Sequence, residues 1–92
     1  MSNAELQQGL SYLSQVAGDF SIGDWNPERM AVPLLHGSKI RAWVSEEILS
    51  DLPASPELKP ALSRGIEATR QEIQSGGSRV VLITTTGPRF EA

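Results

Sequence analysis

The chain has no cysteine, which excludes disulfides, thiolate nucleophiles and thiolate zinc sites. Its single histidine, His36, leaves too few imidazoles for a histidine-rich metal site. Aromatic residues make up only 5%, so the core has to be built mainly from Leu, Ile, Val and Ala. No apolar run approaches the roughly 20 residues of a membrane span. The N-terminus lacks the basic start and apolar stretch of a signal peptide. Both observations, with the missing cysteine, suit a cytoplasmic protein. Positive charge is also short: 8 Lys and Arg stand against 11 Asp and Glu, for a net charge of −3. That balance argues against nucleic acid or an anionic membrane as the main partner.

What is present is an ordinary globular mixture, 39% hydrophobic and 21% charged. Its 92 residues are enough for one domain, 1–92, and too few for two independent cores.

The spacing predicts an amphipathic helix from about Asn3 to Ala17. Leu6, Leu10, Leu13 and Ala17 fall on one stripe with Val16 beside it, and Gly18-Asp19 ends it. Ser2 and Glu5 have the spacing of a capping box. Phe20 and Ile22 alternate with Ser21 and Gly23 as in a short strand. Asp24, Asn26 and Pro27 then supply turn chemistry, and Trp25 reads as a core anchor.

Arg29 to Ser45 reads as a hairpin turning at His36-Gly37-Ser38. A three-residue loop pairs Leu34 with Ile40, Val32 with Ala42 and Met30 with Val44, which gathers the apolar side chains on one face. A two-residue loop pairs Leu34 with Arg41 and Val32 with Trp43, mixing the faces, so the longer loop is expected. Pro33 cannot donate to a ladder, which marks its strand as an edge or a bulged one.

Ser45-Glu46-Glu47 begins a short helical turn carrying Ile48, Leu49 and Leu52, stopped by Pro53. Ser55-Pro56-Glu57 starts a longer helix whose face is Leu58, Leu62, Ile66, Thr69 and Ile73, with Ala61 alongside. Lys59, Arg64, Glu67, Arg70 and Glu72 take the remainder. Gly65 weakens such a helix, and close packing on a sheet is the expected reason. Gly76-Gly77 terminates it. Arg79 to Thr86 is the strongest strand, closed by Gly87-Pro88, with Arg89 to Ala92 left as a tail tied down by Phe90.

Together these elements give an α+β domain: a small, largely antiparallel sheet of three or four strands with two main helices, in the order α-(β)-β-β-α-β. Trp25, the Arg29-Met30-Ala31-Val32 strand, Gly37 and Ile40 at the turn, Val44-Ser45-Glu46-Glu47-Ile48-Leu49 and Arg70-Gln71-Glu72-Ile73 carry a resemblance. From Trp25 to the C-terminus the chain resembles small bacterial proteins of domain-of-unknown-function family 1488. The N-terminal helix departs from that pattern, where a short extended segment belongs. The resemblance implies a bacterial α+β protein and brings no activity, cofactor or site residue with it.

Chemistry-bearing clusters are sparse. His36 lies at a hairpin tip with no nucleophile or carboxylate close in sequence. Asp19 and Asp24 lack calcium-loop spacing. Gly76-Gly77-Ser78-Arg79 leaves a helix C-terminus, the opposite polarity to a phosphate loop. No catalytic residue, metal ligand or cofactor is expected, and the reading is of a non-enzyme. An enzyme would have to draw on Asp24, Ser38 or Thr85 without a visible base.

One surface stands out. The expected register puts Arg29, Lys39, Arg41 and Trp43 together on the outer face of the hairpin. Either the N-terminal helix covers Trp43 there and leaves the basic side chains solvated at its rim, which is the expectation for the helix, or the face is free to bind. The leading expectation is a binding or accessory protein acting through protein–protein contact, as a homo-oligomer or with another protein, with no membrane association. The alternative is a nucleic-acid-associated regulatory module, in which the three cations contact phosphates and Trp43 stacks a base.

Overall fold

The computed structural model describes residues 3–91. Three helices lie over one five-stranded sheet. The elements are α1 (Asn3–Val16), β1 (Ser21–Ile22), β2 (Ala31–His36), β3 (Lys39–Ser45), α2 (Glu46–Asp51), α3 (Leu58–Gln74), β4 (Val80–Thr84) and β5 (Gly87–Glu91). The sheet runs β1-β2-β3-β4-β5. Every neighbouring pair is antiparallel except β3 and β4, which are parallel because α3 carries the chain back between them. The α+β class is as expected; the strand count is five and not three or four. The extra strand is β5, the segment read as a tail. Gly87 takes a positive φ of 108°, and the chain reverses over Thr85-Thr86 to pair with β4 along its whole length.

Alternation divides the sheet into two faces. Val32, Leu34, Ala42, Val44, Val81 and Ile83 point toward the helices and are buried with Leu13, Leu49, Leu62 and Ile66. Close approach needs small residues at two contacts. A Cβ on Gly9 would stand 2.9 Å from the Leu49 Cα and nearer still to its carbonyl, so only glycine lets α1 cross α2 there. A Cβ on Gly65 would lie 2.5 Å from Ile83 Cγ2, which confirms the close helix–sheet packing expected of that glycine.

The hairpin register differs from the expectation. Its loop is Gly37-Ser38 alone, with His36 opposite Lys39 and Leu35 opposite Ile40. Gly37 takes a φ of 66°, as the first central residue of a type II′ turn requires. The register then shifts between Leu34 and Leu35. Arg41 is the additional residue on β3, and beyond it Leu34 faces Ala42 and Val32 faces Val44. The bulge keeps the apolar face intact with the shorter loop. Pro33 sits opposite Trp43, and its carbonyl accepts from Gly23 N at 2.9 Å. Its missing N–H therefore points toward β1, and the β2–β3 ladder loses nothing.

Two further expectations change. Trp25 is 38% exposed and is no core anchor. Glu72 is only 6% exposed instead of sharing the solvated side of α3. The Ser2 end of the expected capping box lies outside the described residues. Ser45 caps α2 as expected, its Oγ accepting from Ile48 N at 3.4 Å.

Candidate functional site

The helices cover one face of the sheet, and the other face carries the candidate site. Register places Pro33, Trp43, Leu82 and Arg89 in a row across β2, β3, β4 and β5. Trp43 and Leu82 are half-buried and absent from the helix-side core, so the expected cover of Trp43 by the N-terminal helix is not found. Beside them Arg29, Trp43, Leu82 and Thr84 border a shallow hollow of about 300 Å³.

Arg29 crosses this face. Its guanidinium lies 4.7 Å from the Trp43 ring centroid, a separation at which a cation is attracted to the negative face of the ring. The same group forks onto Glu91, Nη1 to Oε2 at 2.9 Å and Nη2 to Oε1 at 3.2 Å. The hydrogen bonds from Arg29 hold the Glu91 carboxyl below its ordinary range, against a smaller opposing effect of desolvation. The same pair raises the pKa of Arg29. The backbone that positions Arg29 is strained at its neighbour, since Met30 adopts a φ of 52°. Asn26 accepts from the backbone N–H groups of Glu28 and Arg29 at 2.9 and 3.1 Å, fixing the turn that leads into β2.

The four residues expected to share a surface are only partly brought together. Arg29 and Trp43 stack. Arg41, as the bulge residue, turns away to the α3–β4 connection, where Nη2 donates to the Gly77 carbonyl at 2.6 Å. Its role there is structural, tying β3 to the end of α3. Lys39 is exposed beside the hairpin turn, paired across from His36. It lies six positions along β3 from Ser45, roughly 20 Å at the rise of a strand, and the Arg29 end of the hairpin lies opposite Ser45.

Below α3, Glu72 accepts from Arg79 Nη2 at 2.9 Å, from Arg79 Nε at 3.3 Å and from the Arg79 backbone N–H at 3.2 Å. These bonds lower the Glu72 pKa despite its burial, with help from the charges of Arg79 and Arg41. The Arg79 guanidinium also stacks 4.0 Å from the Phe90 centroid. Together Glu72, Arg41 and Arg79 pin the turn from α3 into β4.

Sequence reasoning missed Leu82, Arg89 and Glu91 as members of the open face. The signal was present in Gly87-Pro88-Arg89-Phe90-Glu91, which alternates after a short turn as the second arm of a hairpin does. Elsewhere, His36 stacks edge-on against Phe20 at 6.0 Å and borders a depression of about 150 Å³ with Asp19, Arg70 and Gln74. Among the described residues no three His, Asp or Glu side chains gather as metal ligands, and no helix is long and apolar enough to cross a membrane. Ser38 and Thr85 sit in turns at opposite ends of the sheet. Comparison with family models, with curated proteins and with solved structures finds no match to this chain.

Proposed function

We propose that this chain is a non-enzymatic binding or accessory protein whose open sheet face docks a protein partner. The observation that supports this most strongly is the half-buried pair Trp43 and Leu82 beside exposed Arg89, on the sheet face that none of the described helices covers. An aromatic and an aliphatic side chain at its centre, with Arg29 stacked over the indole and reaching Glu91, match the tryptophan and arginine anchors common in protein interfaces. The resemblance to domain-of-unknown-function family 1488 is consistent with a small bacterial accessory protein.

The nucleic-acid reading draws less support. Of its three cations, Arg29 is neutralised by Glu91, Arg41 is committed to Gly77, and Lys39 stands at the far end of the hairpin.

Affinity recovery from cell extract, comparing wild type with Trp43→Ala after nuclease treatment, tests the proposal. A discrete polypeptide retained by wild type, lost with Trp43→Ala and still bound at raised salt is the expected result. Retention of nucleic acid that disappears as salt rises would favour the alternative. Equal recovery by wild type and Trp43→Ala would remove the open face from the account.

A further inference from the structure

The last strand has one edge paired to β4 and the other exposed. Proline has no N–H to donate, so Pro88 sits where the β4 ladder asks for none, opposite Ile83. The alternation of an antiparallel ladder then gives Phe90, opposite Val81, the same orientation. Its N–H and C=O point outward from the edge, while Arg89 and Glu91 turn theirs toward β4. The side chains alternate the other way. Phe90 is 45% exposed on the helix side, and Arg89 and Glu91 stand on the open face with opposite charges.

From this arrangement we propose that a second copy of this chain pairs with the exposed edge of β5, antiparallel and centred on Phe90, to make one continuous ten-stranded sheet. A strand written Arg-Phe-Glu is its own complement under a two-fold axis at its middle residue. Each Phe90 N–H meets the other copy's Phe90 C=O. Each Arg89 comes to lie across from Glu91 of the second copy, in a pair with Cα atoms about 4.5 Å apart.

The charges are suited to it. The Arg89 guanidinium has no carboxylate or hydrogen-bond partner among the described residues. Glu91 presents its carboxylate on the same face while holding Arg29. Across the axis, Arg89 of one copy would join Arg29 of the other in sharing a carboxylate. On the helix side, Phe90 borders a groove with Ala68, Gln71, Ser75 and Arg79, and the two-fold axis sets two such grooves side by side. An edge that presents unpaired backbone groups is a template for just this addition.

The axis is perpendicular to the sheet, so both open faces end on the same side. The two Trp43 rows then lie five strand spacings apart, about 24 Å. The second copy meets the β5 edge, which shares Arg89 and Glu91 with the proposed docking face but neither Trp43 nor Leu82, so Trp43→Ala separates the two readings.

Sedimentation equilibrium over a concentration series tests the pairing on wild type, Phe90→Pro, Phe90→Ala, Arg89→Glu, Glu91→Arg and an equal mixture of the last two, each first checked for a cooperative melt. The wild-type mass should rise toward twice that of the monomer. Phe90→Pro removes the outward N–H together with the ring that Arg79 stacks on and should weaken association at least tenfold. Phe90→Ala, which keeps the N–H, should weaken it less. Arg89→Glu and Glu91→Arg should each stay monomeric, because each faces like charge in its own copy. Their mixture should regain the dimer mass, because opposite charges then meet. A wild-type chain that is monomeric up to about 1 mM would overturn the proposal. So would a dimer that ignores Phe90→Pro, a mixture that stays monomeric, or a dimer dissociated by Trp43→Ala alone, which would place the second copy on the open face.

Discussion

Arg29 and Glu91, 62 residues apart in sequence, are joined by two hydrogen bonds of 2.9 and 3.2 Å across the open face of the sheet. One belongs to the turn before the first long strand and the other to the last strand. Arg29 makes this contact while lying over the Trp43 ring, so the charge state of Glu91 is coupled to the environment of an indole.

Tryptophan emission of a Trp25→Phe variant reports on Trp43 alone. The Glu91 carboxyl is held below its ordinary value by Arg29, so the contact is present at neutral pH and is lost as pH falls through that lowered value. The emission should therefore change with a midpoint below about 4.3, the usual glutamate value. With Glu91→Gln added, the low-pH spectrum should appear at neutral pH. An emission that is flat down to unfolding would refute the coupling.

Glu72 should dominate the acid sensitivity of folding. Its pKa is lowered in the folded chain, chiefly by hydrogen bonds from Arg79, so its stabilising contribution is full above the unfolded-state value. That contribution fades as pH falls through the folded one. Glu72→Gln should melt at a lower temperature than wild type at pH 7, and the gap should close as pH falls below about 4. Melting curves from pH 7 to pH 3 check both the size and the sign.

Glycine 65 should resist the usual stabilising exchange. In a solvated helix Gly→Ala gains about 1 kcal/mol, but here the new Cβ would lie 2.5 Å from Ile83 Cγ2 and 2.6 Å from Ile83 Cγ1. Gly65→Ala should instead destabilise by about 1–3 kcal/mol, measured by urea unfolding.

Met30 offers the opposite case. It holds a φ of 52° and its side chain is 55% exposed, so the conformational strain is relieved by little packing. Met30→Gly should stabilise the fold by about 0.5–1 kcal/mol. Destabilisation would mean that the Met30 side chain holds the Arg29 turn through contacts its exposure does not suggest.

Much of the fold was legible because its signals are local. The stripe from Leu6 to Ala17, the cap at Ser45, the stripe from Leu58 to Ile73 and the apolar run at Val80 each specify an element without reference to the rest. The α3 helix nevertheless begins at Leu58 behind Glu57 and not at the expected Ser55-Pro56 start, with no side-chain cap. The errors came where a non-local contact decides. A two-residue hairpin loop mixes the faces unless a bulge follows, and nothing in the sequence around Arg41 announces one. The bulge also explains the largest loss from the candidate site, since it sends Arg41 to Gly77 instead of the face shared by Arg29 and Trp43. Glu72 looked like a solvated helix charge because its partner, Arg79, lies beyond the helix in the following turn. Trp25, next to turn residues, had no local feature to separate an exposed indole from a buried one.

The open face centred on Trp43 and Leu82 is the surface proposed to meet another protein. A photo-crosslinking amino acid at position 82, activated in living cells, tests it most directly. The expected result is a discrete adduct that protease digests, nuclease leaves intact, and Trp43→Ala abolishes. No adduct from position 82, or an adduct that nuclease removes, would contradict it.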